Sequence, residues 1–133
     1  MSFVSRGDMV AASHARTGAT SYHAGLAAED SVERDYLRQG MTVAARRWRG
    51  TAGEIDLILR DGAAVIFVEV KKSRSFARAA VRIGRGQMDR ICQAAGEFLA
   101  GEPAGQLTDV RFDLALVDGS GRVHVTENAF MEA

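Results

Sequence analysis

One continuous apolar run near the centre of the chain constrains the fold more than any other feature. It covers residues 63–68 and follows the pair Asp61-Gly62. An unbroken apolar run of this length is typical of a strand that is covered on both faces. The Asp-Gly pair predicts a tight hairpin to the preceding segment 54–60, in which polar and apolar residues alternate. The sequence therefore predicts that strands 54–60 and 63–71 pair side by side.

Charged side chains gather on these two predicted strands. Alternation places Glu54 and Asp56 on one face of the first strand, and Glu69 and Lys71 on one face of the second. Because Glu69 ends a buried strand, its carboxylate needs a cationic partner or a metal ion. Three carboxylates and an ammonium group suit a divalent cation held beside a phosphate. A simple ion pair between Glu69 and Lys71 is the alternative explanation.

The charge of the whole chain is balanced, but its distribution is not. The chain has 17 Lys and Arg against 17 Asp and Glu. Between residues 46 and 90 the basic residues outnumber the acidic ones by 11 to 5. A basic field around an acidic centre suits a nuclease better than a generic nucleic-acid-binding protein. A solvated charged face is the alternative that the charge count alone leaves open.

Hydrophobic periodicity predicts an α/β fold with a mixed sheet flanked by helices. A helix is expected over residues 24–39, with Ala28, Val32 and Tyr36 on its apolar stripe. A second helix carries an apolar stripe from Met88 to Leu99 that includes Cys92 as a small core residue. Strands are expected over 41–48, 54–60, 63–71, 110–118 and 123–126. The predicted order is α-β-β-β-α-β-β.

The same patterns predict one domain over residues 22–133 and a disordered N-terminal arm over residues 1–21. Residues 73–85 are polar and basic, with a short helical turn expected over 76–82. The single cysteine, and the lack of an apolar leader or of a membrane-length apolar segment, favour a cytoplasmic protein.

Two further features have structural explanations. Trp48 stands among arginines and could stack on a base, but a tryptophan at the end of a strand more often belongs to the core. Arg111 and Asp113 share a face of one predicted strand, so we expect a structural ion pair between them.

Asp56, twelve further residues and then Glu69-Val70-Lys71 resemble the PD-(D/E)xK signature of restriction-endonuclease-like nucleases. More specifically, the chain resembles the YraN-type family of bacterial proteins over roughly residues 24–130. The segments that carry the resemblance are Glu29, Tyr36-Leu37, the Arg-rich strand 46–49, Gly53-Glu54-Ile55-Asp56-Leu57-Ile58, Phe67-Val68-Glu69-Val70-Lys71, the helix 87–99 and Arg111-Phe112-Asp113.

This resemblance implies an α-β-β-β-α-β endonuclease core and a set of site residues. Asp56 and Glu69 would bind Mg²⁺ or Mn²⁺, and Glu29 of the first helix would assist them. Lys71 would orient the attacking water and stabilise charge on the phosphate. Gln87 occupies the place near the phosphate where relatives carry Lys or Gln.

The combined expectation is a metal-dependent, structure-selective endonuclease that acts on nucleic acid, with DNA favoured over RNA. Its backbone contacts are assigned to six arginines: Arg46, Arg47, Arg49, Arg74, Arg78 and Arg85. A homodimer would supply two cuts. Two alternatives stay open, namely a non-catalytic nucleic-acid-binding module on the same fold and a protein-interaction domain with an ion-pair network. No membrane association is expected.

Overall fold

The computed structural model describes residues 16–72 and 84–129. Within them lie two α-helices and five β-strands in the predicted order. Their bounds are α1 Arg16–Arg38, β1 Thr42–Arg49, β2 Glu54–Asp61, β3 Ala64–Lys72, α2 Arg85–Leu99, a 3-10 turn at Gly105–Leu107, β4 Val110–Val117 and β5 Val123–Thr126. The predicted α/β class and element order are confirmed.

The five strands form one sheet in the order β1-β2-β3-β4-β5. Neighbours are antiparallel except for β3 and β4, which run parallel. A parallel pair needs a crossover connection, and the segment between these two strands contains α2. Gly62 adopts a left-handed backbone with φ of 65°, as the tight turn between β2 and β3 requires. The sheet is therefore mixed, with β3 at its centre.

Each face of the sheet is covered by one helix. Ala28, Val32 and Tyr36 of α1 pack against one face, as the predicted stripe requires. The other face packs against α2, whose buried residues are Ile91, Ala94, Ala95 and Leu99. Consequently the residues of β3 from 65 to 68 are at most 1% exposed, which confirms a strand covered on both sides.

The structure differs from the sequence-based expectations at several positions. Cys92 is exposed, so its placement in the core was wrong. The buried stripe of α2 is centred on residues 91, 94 and 95, which turns position 92 outward. Helix α1 begins at Arg16 rather than at residue 24, so residues 16–21 of the expected arm are helical. The remainder of the arm and the helical turn expected at 76–82 lie outside the described residues.

A buried polar network ties α1 to β4. Asp113 is 0% exposed, and Arg111 donates to both of its oxygens at 2.9 and 2.8 Å, which confirms the expected pair. The Tyr36 hydroxyl donates to the Asp113 carboxylate at 2.7 Å, and the Asn128 N–H donates at 3.1 Å. Burial and the adjacent carboxylate raise the pKa of Tyr36. Four donors thus compensate one buried charge.

We predict that Tyr36→Phe lowers the free energy of unfolding by about 1–3 kcal/mol, because a buried carboxylate loses one of its donors. Urea denaturation of the two proteins measures the difference. Leu37→Ala, at an exposed neighbouring position, should stay within about 0.5 kcal/mol of wild type. Equal losses in the two variants would contradict a specific role for the hydroxyl.

Candidate active site

Asp56 and Glu69 lie where β2 and β3 stop pairing. The regular register of the two strands runs from Asp61 and Ala64 to Leu57 and Val68. At the next position the ladder ends, and the Val70 N–H donates instead to the Asp56 side chain at 2.8 Å. A carboxylate therefore accepts the hydrogen bond where a strand carbonyl would otherwise do so, and the two acidic residues occupy the fork between the strands.

The backbone across from Asp56 is unusual. Arg47 of β1 has a left-handed conformation with φ of 49°, which costs a non-glycine residue about 1–2 kcal/mol. It lies between the paired positions Arg46 with Leu57 and Trp48 with Ile55. On either side of Asp56, Ile55 and Leu57 pack into opposite core clusters although they are two residues apart. The regular alternation that predicted a shared face for Glu54 and Asp56 does not continue through this point.

Gln87 of α2 connects the acidic and basic groups of β3. Its side-chain Nε2 donates to Glu69 Oε2 at 2.7 Å, and its Oε1 accepts from Lys71 Nζ at 3.3 Å. Lys71 Nζ lies 3.5 Å from the same Glu69 oxygen. The expected ion pair is therefore present, but an amide from the opposite helix is built into it. Lys71 keeps 36% of its side chain exposed and remains accessible to a ligand.

Burial is the largest influence on the pKa of both carboxyl groups. Desolvation, followed by the charge of Asp56, raises the pKa of Glu69 to about 7, and Lys71 offsets only part of this effect. Desolvation also raises the pKa of Asp56, against the hydrogen bond from the Val70 N–H. Two acids this close, and short of compensating positive charge, favour either a bound proton or a cation.

Glu29 lies at the edge of the Asp56 and Glu69 pair, but its carboxylate contacts Arg47 instead. Its Oε1 accepts from Arg47 Nε at 3.1 Å. Burial is the largest cause of its raised pKa, which Arg47 lowers and Asp56 and Glu54 raise. Across residues 16–72 and 84–129, no group of three or more His, Cys, Asp or Glu side chains is placed to hold a metal ion. The candidate metal ligands that the structure brings together are therefore Asp56 and Glu69.

The arginines assigned to nucleic-acid contacts fall into different environments. Arg46 makes two hydrogen bonds of 2.8 Å to Glu33, which raises the pKa of the guanidinium. Arg49 is 74% exposed and lies 3.6 Å from Glu54. Arg85 is exposed at the first position of α2. Arg74 and Arg78 lie outside the described residues.

Trp48 belongs to the core as expected, with its ring edge-to-face against Phe98 at 5.5 Å. The contacts that hold the neighbouring β1–β2 turn were not predicted. The Thr51 N–H donates to Glu97 of α2 at 2.8 Å, and a Cβ on Gly50 would lie only 2.7 Å from that carboxylate. No local sequence pattern links positions so far apart. The turn beside Asp56 is thus fastened to α2.

The core α-β-β-β-α-β, with Asp56 and Glu69-Val70-Lys71 at a strand fork, defines a restriction-endonuclease-like fold. The chain belongs to the uncharacterised protein family UPF0102, whose model matches residues 28–117. This is the family that the YraN-type motifs indicated.

Several relatives carry the same family description. A UPF0102 protein of Cereibacter sphaeroides strain KD131 is 67% identical over 114 residues, which are 86% of this chain and 97% of the relative. One from Ruegeria pomeroyi is 60% identical over 116 residues, covering 87% and 94% of the two chains. One from Dinoroseobacter shibae is 46% identical over 114 residues, covering 86% and 85%. These similarities establish the family, whose description names no reaction.

Neither described helix combines the length and the apolar character that crossing a membrane requires.

We predict that the metal-free protein loses stability as pH rises from about 4.5 to 7. Because the pKa of Glu69 is raised on folding, the folded protein keeps a proton that the unfolded chain releases in this window. The contribution is on the order of 2 kcal/mol. Urea denaturation of wild type and Glu69→Gln at the two ends of the window measures it. A pH dependence of the same size in both proteins would contradict the assignment to Glu69.

Proposed function

We propose that this protein is a metal-dependent, structure-selective endonuclease that hydrolyses phosphodiester bonds in nucleic acid. The observation that carries the proposal is the joint placement of Asp56 and Glu69 at the strand fork, with Lys71 and Gln87 in contact with Glu69. A carboxylate pair that can hold a cation, an accessible ammonium group and an amide that positions them suit phosphodiester hydrolysis.

The carboxylate pair fits Mg²⁺ or Mn²⁺. Burial raises the pKa of both carboxyl groups, and the charge of Asp56 raises the pKa of Glu69 further, so a divalent cation would relieve a repulsion that Lys71 only partly offsets. Hard carboxylate oxygens suit Mg²⁺, which is commonly bound by one or two carboxylates and keeps several waters. Bound there, the cation lowers the pKa of a coordinated water and offsets charge on the phosphate.

The protein's own groups supply orientation and charge. Lys71 orients the attacking water and stabilises negative charge that develops on the phosphate. Gln87 holds the ammonium group of Lys71 and the carboxylate of Glu69 in fixed relation, because one amide bonds both of them. The Val70 N–H fixes the carboxylate of Asp56 at the fork. Each reacting group is thereby held by a neighbour on a strand or a helix.

The exposed arginines near the site favour a substrate class. Arg49 and Arg85 are exposed near the site and suit contacts to the sugar-phosphate backbone, which carry no sequence information. Because such backbone contacts do not read sequence, branched, flapped or single-stranded substrates are favoured, with DNA ahead of RNA. A cytoplasmic location suits a nuclease of this kind. A homodimer would supply two cuts in one junction.

The cleavage prediction compares charge-removing variants on neighbouring positions. Purified protein is incubated in Mn²⁺ with linear, flapped and four-way DNA and RNA. Glu69→Ala and Lys71→Ala should each lower the rate at least ~100-fold, because each removes a group that acts on the reacting phosphate or its water. Glu54→Gln, on the same strand as Asp56 but half exposed and paired with Arg49, should retain most of the activity.

Equal cleavage by wild type and by both alanine variants would identify a contaminant and overturn the proposal. Wild-type protein that retains branched DNA without cutting it, at high concentration in Mn²⁺, would instead establish the non-catalytic binding module.

The metal prediction is independent of turnover. Calorimetric titration with Mn²⁺ should show binding to the wild type that Asp56→Ala abolishes, because the variant leaves one carboxylate of the pair. Glu54→Gln should bind as the wild type does. No heat of binding with the wild-type protein would favour the interaction-domain alternative, in which the acids and Lys71 form only an ion-pair network.

A further inference from the structure

Arg90 of α2 lies between two glycines at the edge of the candidate site. A Cβ on Gly53, in the turn before β2, would lie 3.9 Å from Arg90 Cβ. A Cβ on Gly86, one turn earlier on α2, would lie 3.7 Å from Arg90 Nη1. The stem of Arg90 therefore rests beside the turn, while its guanidinium folds back over the start of α2.

The charge of Arg90 is uncompensated within the described part of the chain. Its side chain is exposed, and no described carboxylate lies within ion-pair distance of it. The arginines of β1 differ, since Arg46, Arg47 and Arg49 each face a glutamate. A guanidinium has five N–H donors in a planar fork that matches phosphate oxygens. Arg90 presents such a fork to solvent beside the site.

The position of Arg90 relates it directly to the proposed catalytic groups. Gln87, which bonds Glu69 and Lys71, precedes it by three residues, so the two side chains lie on the same side of α2. Their Cα atoms are about 4.5 Å apart along the helix axis. Arg90 is therefore placed to meet the backbone of a nucleic acid whose phosphate lies beside Gln87 and Lys71.

From this placement we infer that Arg90 binds a backbone phosphate of the nucleic acid adjacent to the phosphate that lies beside Lys71 and Gln87. Gly86 lacks the Cβ that would stand beside the guanidinium, and Gly53 lacks the one that would stand beside the base of the Arg90 stem, so a sugar-phosphate backbone can approach Arg90 closely. Glycine within a helix lowers its stability relative to alanine, so Gly86 has a cost that this access would offset. The inference rests on the proposed function and adds a residue that positions the substrate.

The first test measures DNA binding without turnover. Fluorescence anisotropy follows a labelled four-way DNA junction over a range of salt concentrations, in buffer free of divalent cations. Arg90→Ala keeps the Cβ beside the Gly53 turn and should weaken binding roughly five- to tenfold. The slope of log K against log salt should shrink by about 0.9, as expected for one lost phosphate contact. Arg38→Ala, an exposed arginine on α1 at the opposite face, should change neither quantity.

The second test separates close access of the DNA backbone from the charge of Arg90. It compares a matched pair of glycines on α2. Gly86→Ala places a methyl group under the guanidinium, whereas a Cβ on Gly96 meets no atom within 4 Å. Both variants should melt at or above the wild-type temperature, since alanine favours helix. Only Gly86→Ala should weaken junction binding.

The inference about Arg90 and the proposed nuclease function would be contradicted by different results. Wild-type affinity and salt slope in Arg90→Ala, with cleavage by the wild type intact, would overturn the inference and leave the nuclease assignment standing. The same holds if Gly86→Ala and Gly96→Ala bind equally well. If Arg90→Ala does not fold, Arg90→Gln replaces it, because glutamine keeps most of the stem. Wild-type protein that neither binds nor cuts any junction would overturn the proposed function and this inference together.

Discussion

The hydrogen bond from the Val70 N–H to the Asp56 carboxylate is the contact on which the site depends. It replaces a ladder bond at the point where β2 and β3 separate, so the fork does not leave that half-buried backbone donor unpaired. The same bond fixes Asp56 relative to Glu69, which follows the last residue of β3 that pairs with β2. Strand separation, which would otherwise weaken the sheet, thus becomes the means of placing two acids side by side.

Most of the fold could be predicted because its signals are local. The run 63–68, the Asp61-Gly62 turn and the stripe of α1 each specify one element from a few neighbouring residues. The error at Cys92 arose because the predicted and the buried stripes of α2 share positions 91, 95 and 99, and only packing against the sheet decides whether Cys92 or Ala94 is buried with them. No apolar periodicity in the sequence indicates that α1 begins at Arg16.

The candidate site could be predicted in part for the same reason. Asp56, Glu69 and Lys71 belong to two strands joined by a short turn, so sequence alone brings them to one region. Gln87 was assigned only through resemblance, because its contact with Glu69 depends on how α2 crosses the sheet. The left-handed backbone of Arg47 and the anchoring of Thr51 by Glu97 are tertiary and have no local signature.

The arginines near the site divide into those that pair with acidic residues of the fold and those that stay exposed. Glu33 and Glu29 of α1 form ion pairs with Arg46 and Arg47. These pairs hold the left-handed backbone of β1 that lies across from Asp56. These two guanidinium groups therefore serve the architecture of the site. Charge offered to a polyanion must come from side chains that the fold does not already engage. In the described residues beside the site, Arg85 and Arg90 meet that condition, and Arg49 and Lys71, each paired yet partly exposed, meet it in part. Arg85, Arg90 and Lys71 lie on the side of the sheet covered by α2.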